Sequence, residues 1–217
     1  MRILVTGGNT AVHIDKVRVI SNIFRGKTAV DIATMAFRRG HKVTLLGNPG
    51  MEPSSLGHVN KFLSYKTYDD LEELMQLEIQ SKTYDCVVHS AAVSDYSVSR
   101  VLDSELNELS SSGKVGSSHK RIYLEMVPTR KIIDEIRPWG FHGILIKFKL
   151  QVDMTDGELL DIAKASRIHS NANLIVANCL EWAKERAFIV GPDLVQEVKR
   201  DDLSRSLLQS IESIGKT

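Results

Sequence analysis

Short apolar runs recur along this chain, with amphipathic helical segments between several of them. "RILVTGG", "HKVTLLG", "YDCVVHSAA", "GILIKFKLQV", "ANLIVAN" and "AFIVG" are each apolar at consecutive positions, and "VNKFLSYKT" adds a weaker candidate. A strand that is apolar at consecutive positions is buried on both faces, which suits a parallel sheet covered by helices. Helices are predicted at 27–39, 68–81, 155–168 and about 201–214. The first places Val30, Ala33, Met35 and Phe37 on an apolar surface and ends at Gly40. The second is acidic and turns Leu71, Leu74, Met75 and Leu77 inward. This rhythm predicts an α/β fold, a doubly wound, mostly parallel, Rossmann-like sheet.

The 217 residues suit a single α/β domain over 1–217. With 42% hydrophobic and 25% charged residues the composition is that of a globular protein and excludes general disorder. Lys plus Arg number 28 against 27 acidic residues, so nothing in the charge balance calls for nucleic acid as a partner. Cys86 and Cys179 lie inside apolar runs and read as buried free thiols. No stretch is long and apolar enough to span a bilayer, and "MRILVTGG" reads as a strand rather than a signal peptide. The expectation is a cytoplasmic protein without membrane attachment. Residues 95–127 break the rhythm with a Ser-rich, charged excursion. It is expected to be an inserted mobile flap, with "SSSGK" at its tip and "KRIYLEM" as a strand returning to the body.

The Gly-Lys-Thr at 26–28 opens a helix and suggests a nucleoside triphosphate. A phosphate-wrapping loop needs an earlier glycine, where this chain has Ser21, and a strand leading directly into it, which "VRVISNIF" does not supply. The dinucleotide fingerprint also fails, because "TGGNTAVHID" holds only Gly7 and Gly8. No tyrosine is followed four positions later by lysine, as a short-chain dehydrogenase would require. An NAD(P)-binding redox protein therefore stays as an alternative only.

The order of "ILVTGGNT", "IDKVRVISN", a Gly-Lys before a helix, "AAVSDY", a second Gly-Lys in the excursion, "KF" in a strand and "LIVAN" resembles phosphopantothenoylcysteine synthetase, or phosphopantothenate–cysteine ligase. It is most similar to the stand-alone form of streptococci and their relatives, and the likeness runs from Met1 to about Pro192. The resemblance implies that the carboxylate of 4′-phosphopantothenate attacks the α-phosphate of CTP or ATP, with Mg²⁺ on the phosphates. The acyl-nucleotidylate then yields an amide with cysteine. Such chemistry needs positioning and charge neutralisation more than a protein nucleophile.

The same resemblance assigns roles. Asn22 implies an uncharged donor at the reacting acyl group, and Arg18 a guanidinium for phosphopantothenate. Gly26 implies close approach of ligand to the helix start, and Gly8 belongs to the first nucleotide loop. Ala91 and Ala92 leave room for a base, Asp95 matches an Asp at the nucleotide, and Phe148 a Phe beside the base. Lys114 matches a flap lysine that reaches the phosphates and stabilises the transition state. Val127 to Arg130 corresponds to a segment lining the nucleotide. A homodimer is implied, with the excursion reaching toward the neighbouring subunit.

The chain departs from this pattern on its loops. Asn9 stands where a glycine is usual, and Asn tolerates the left-handed backbone that such a turn uses. Val12 replaces an acidic residue, and Phe24 and Arg25 replace small hydroxyl residues, with Arg25 able to substitute by charge. Asn173 and Cys179 replace two aspartates around "LIVAN". Arg167 and His169 are the basic groups left where lysines are expected. A relative with a different acyl substrate, or a non-catalytic paralogue, would show the same departures.

Overall fold

The computed structural model describes residues 1–51 and 59–216. Its strands are β1 (Arg2–Thr6), β2 (Ala11–His13), β3 (Val19–Ser21), β4 (Lys42–Gly47), β5 (Lys61–Ser64) and β6 (Cys86–His89). They continue with β7 (Tyr96–Leu102), β8 (Glu108–Leu109), β9 (Tyr123–Pro128), β10 (Ile144–Gln151), β11 (Leu174–Cys179), β12 (Arg186–Val190) and β13 (Val195–Lys199). The helices are α1 (Lys27–Arg38), α2 (Tyr68–Ser81), α3 (Ile132–Glu135), α4 (Asp156–His169) and α5 (Leu203–Ile214).

The central sheet has the order β13-β12-β11-β10-β6-β1-β4-β5. From β11 to β5 every neighbouring pair is parallel, and β12 and β13 add an antiparallel edge. This is the doubly wound Rossmann-like sheet that the apolar runs predict. Consecutive side chains on each strand point to opposite faces. Ile3, Val5, Val88, Ile146 and Val176 pack in one cluster with residues of α1 and α5. Leu4, Val87 and Leu145 pack in a second with residues of α2 and α3, and α4 packs on β11 and β12 in a third. The chain builds β1, β4 and β5 on one side and then crosses to build β6, β10 and β11 on the other. The connections leaving β1 and β6 therefore diverge, which opens a crevice at their carboxyl ends.

Helix α2 begins at a capping box between Thr67 and Asp70, the reciprocal bonding that fixes a helix start. It buries Leu71, Met75 and Ile79, but Leu77 is 57% exposed, which corrects the inward position expected for it. Leu77 lies six positions, or about 240° around the axis, from Leu71. Glu78 is buried instead, held by Lys61, Lys82 and the Tyr84 hydroxyl. On α1 the deepest residues are Ala29, Ile32, Ala33 and Ala36, whereas Val30, Met35 and Phe37 are only partly buried against the core.

Three features go beyond the sequence reading. The first loop folds into the antiparallel hairpin β2–β3, the excursion forms the sheet β8-β7-β9, and β13 closes the large sheet. The "SSSGK" tip is tied down: Lys16 N donates to Gly113 O at 3.1 Å. Leu71→Ala is expected to destabilise the protein by about 2–5 kcal/mol, and Leu77→Ala to change stability by no more than about 0.5 kcal/mol. Urea unfolding of the two variants separates these outcomes.

Candidate active site

The crevice is built by backbone contact before any side chain enters. Gly8 and Gly26 both have positive φ, 90° and 78°. A Cβ on Gly26 would stand 2.6 Å from Gly8 N, so only glycine lets the start of α1 touch the first loop. Asn9 does not take the left-handed conformation expected for it, since Gly8 supplies that turn. Its side-chain amide instead donates to Asn22 O at 2.5 Å and Phe24 O at 3.1 Å. Asn22 Nδ2 donates to Ala92 O at 3.0 Å, and Ala92 N to Gly8 O at 2.8 Å. Gly8, Asn22, Gly26 and Ala92 therefore meet where β1 and β6 diverge. The rest of the Gly-Lys-Thr is engaged by protein groups: Lys27 pairs with Asp31, and Thr28 Oγ1 accepts from Arg200.

A cavity of about 150 Å³ opens beside this junction. It brings together Ala91, Asp95, Arg130 and Phe148 from the sequence reading, and adds His89, Lys131 and Lys147. Asp95 is paired with Lys131, and Arg130 with Glu72 at 2.9 Å. Val127 is an exposed position of β9 opposite Ser97. Arg167 and His169 are not among the cavity's lining residues. Arg167 Nη1 donates to Ala172 O, and His169 Nε2 lies 3.2 Å from Asp134 Oδ2.

Arg18 is committed to the protein. Its guanidinium donates to Asp15 Oδ2 at 2.5 and 3.0 Å and to Val115 O at 2.9 Å. Val115 N in turn donates to Asp15 Oδ2 at 3.0 Å. The Arg18 guanidinium, with the backbone N–H groups of Val17, Val115 and Arg18, holds the Asp15 carboxyl well below the usual carboxylate range against the effect of burial. Lys114 lies between the two pinned residues Gly113 and Val115, and its side chain is exposed. Arg25 is also exposed, on the segment leading into α1.

The family described as the DNA/pantothenate metabolism flavoprotein C-terminal domain matches residues 1–211. The chain belongs to this family. It is 31% identical over 98% of its length to the coenzyme A biosynthesis bifunctional protein CoaBC of Thermococcus kodakarensis, and 32% identical over 82% to that of Methanocaldococcus jannaschii. It covers 51% and 40% of those two proteins, so it spans about half the length, or less, of these curated relatives. The crystal structure of the DNA/pantothenate metabolism flavoprotein from Streptococcus pneumoniae superposes with a TM-score of 0.89, at 31% identity and 99% coverage of both chains. A mutant of Cab2 in complex with phosphopantothenate-cysteine shares the fold, with a TM-score of 0.79 at 16% identity, over 99% of this chain and 86% of that one.

Two of this family member's departures are structural. Asn173 Oδ1 accepts from Leu145 N at 2.8 Å and from Arg137 at 3.1 Å, which ties β10 to the turn before β11. Cys179 is packed beneath α4. The sequence reading did not single out His89 and Lys147, although a lysine inside the apolar run "ILIKF" was the available signal. Burial, and then the neighbouring Lys147 charge, push the His89 pKa from 6.5 down to about 4. Thr6 Oγ1 lies 2.9 Å from its Nδ1.

On acidification the unfolded chain protonates this histidine near pH 6.5 while the folded one resists to about 4. The stability it contributes is therefore complete above pH 6.5 and is lost as pH falls to 4, by an amount on the order of 3 kcal/mol. Urea unfolding across this window should show the loss, and His89→Gln should flatten it.

Proposed function

We propose that this chain is a phosphopantothenate–cysteine ligase. The carboxylate of 4′-phosphopantothenate attacks the α-phosphorus of CTP or ATP, and pyrophosphate leaves. The amine of cysteine then attacks the acyl carbon, the nucleoside monophosphate leaves, and an amide forms with loss of the amine proton. The observation that carries the reading is the bond from Asn22 to Ala92 O. It sets an uncharged amide at the switch-point crevice, next to a cavity walled by Ala91, Asp95 and Phe148. Family membership and the names of the curated relatives support it. Asn22 would donate to the developing acyl oxyanion, and Lys114 would neutralise charge on the phosphates.

Arg18 is engaged by Asp15, so Arg25 is the better candidate for the phosphate of phosphopantothenate. Mg²⁺ would ride on the nucleotide's phosphate oxygens. Asp95 is engaged by Lys131, and among the described residues no three His, Cys, Asp or Glu side chains stand together as a metal site, so phosphate oxygens and water would complete the ion's coordination. Purified protein with Mg²⁺ should release pyrophosphate from CTP or ATP only when phosphopantothenate is present, and form the amide when cysteine is added. Lys114→Ala should lower kcat by about 10²-fold or more, and Lys27→Ala should leave it unchanged. Neither pyrophosphate nor amide with either nucleotide would overturn the proposal.

The homodimer belongs to the same proposal. Hairpin β2–β3 packs against β7, and the hairpin and β9, the strand paired with β7, expose Val19, Ile20, Tyr123, Met126 and Val127. Exposed apolar side chains grouped in this way suit a second copy of the chain. Sedimentation should give a dimer, and Ile20→Asp should shift it toward monomer.

A further inference from the structure

Lys147 and His89 stand side by side in register on β10 and β6. Each is only 7% exposed, and both line the cavity. Of the three protons on the Lys147 ammonium, two are used by neutral acceptors, Ser170 Oγ at 2.6 Å and Ser166 O at 3.1 Å. Among the described residues no carboxylate is in ion-pair contact with it. Asp134 is reached only through Ser170, whose hydroxyl donates to Asp134 Oδ1 at 2.6 Å. The other cations of the cavity are satisfied, Arg130 by Glu72 and Lys131 by Asp95. A buried ammonium with an unused donor is costly unless water or a ligand completes it, and this donor lines the cavity where a ligand would sit.

The remaining walls narrow the choice of ligand. Ala91, Val93, Ile132, Ile133 and Phe148 are apolar, and together they suit a flat ring better than a phosphate, which needs several converging donors. His89 is a neutral imidazole with one donor and one acceptor nitrogen. An ammonium can only donate, so it recognises an acceptor on the edge of that ring. Resting on the nucleotide-binding reading above, we infer that Lys147 donates to a ring carbonyl of the nucleobase and selects against adenine. Uracil, cytosine and guanine present such an oxygen, whereas adenine accepts only through ring nitrogens, set back from the edge by about the 1.2 Å of a C=O bond. Lys147 is thus a specificity-determining residue for the nucleotide.

The test is a binding titration of UTP, CTP, GTP and ATP with the whole chain, without turnover. UTP and CTP should bind roughly tenfold or more tightly than ATP, the worth of one hydrogen bond to a charged group. Lys147→Met should remove the difference while ATP affinity holds. If the variant does not fold, the unaltered protein is titrated with 2-thio-UTP and 4-thio-UTP. One of the two should bind about tenfold more weakly than UTP, because sulfur is the poorer acceptor. Equal affinities for UTP and ATP, a Lys147→Met variant that weakens all four alike, or three uridine nucleotides that bind equally would each overturn the inference and leave the ligase proposal standing. No binding of any nucleoside triphosphate would overturn both.

Discussion

Parallel strands deliver their carboxyl ends to one edge of a sheet, and the chemistry of this protein depends on what the loops do there. β1 and β6 are neighbours whose connections leave in opposite directions. The gap between them is bridged by short-range polar contact: Asn9 pairs with Ala92 across the loops, and Asn22 reaches the same alanine carbonyl. These contacts require backbones to approach within the width of a side chain. Gly8 and Gly26 meet that requirement, and a methyl group on either would collide with the other loop or its supports. The small residues of "TGGNT" and "AAVSD" are therefore a packing demand first and a ligand site second.

One carboxylate, Asp15, organises the contact between the first loop and the tip of the excursion. Asp15 takes N–H groups from its own turn, from Arg18 and from Val115, a hundred positions along the chain. A carboxylate that accepts so many donors resists protonation, so the clasp persists into acid. Its consequence is geometric. The β2–β3 hairpin, which leads to Asn22, and the loop that holds Lys114 are parts of one connected unit. Movement of the loop that carries Asn22 and movement of Lys114 cannot then be independent. Arg18 gives Nε and Nη2 to Asp15 and the Val115 carbonyl in this arrangement, which leaves only the Nη1 donors for a phosphate.

The sheet was legible in the sequence because buried parallel strands are apolar on both faces, and "RILVT", "CVVH" and "LIVAN" are apolar runs too short for buried helices. Hairpin β2–β3 was not legible, since three-residue strands with exposed positions carry no periodicity, and its pairing is set by the turn that Asp15 nucleates. The place of Leu77 was misread because an acidic helix with many leucines has two plausible faces. Only the pairing of Glu78 with Lys61 and Lys82 decides between them. Within the site, Asn22, Ala91, Asp95 and Phe148 followed from motif order. His89 and Lys147 did not, because their meaning lies in being adjacent across two strands far apart in the chain.

Two buried charges, Glu78 and Lys147, make that last point in physical terms. Glu78, in the last turn of α2, is surrounded by Lys61, Lys82 and the Tyr84 hydroxyl. Burial pushes its pKa up, and these three partners more than reverse that, bringing it to about 2. It is a completed ion cluster and needs nothing further. Lys147 has neutral acceptors only, and burial lowers its pKa with Asp134 offering partial compensation from a distance. Protein interiors complete their charges where structure alone is at stake. An incomplete one, set in the wall of a cavity at the carboxyl edge of the sheet, has the form of a contact whose second half arrives with the ligand.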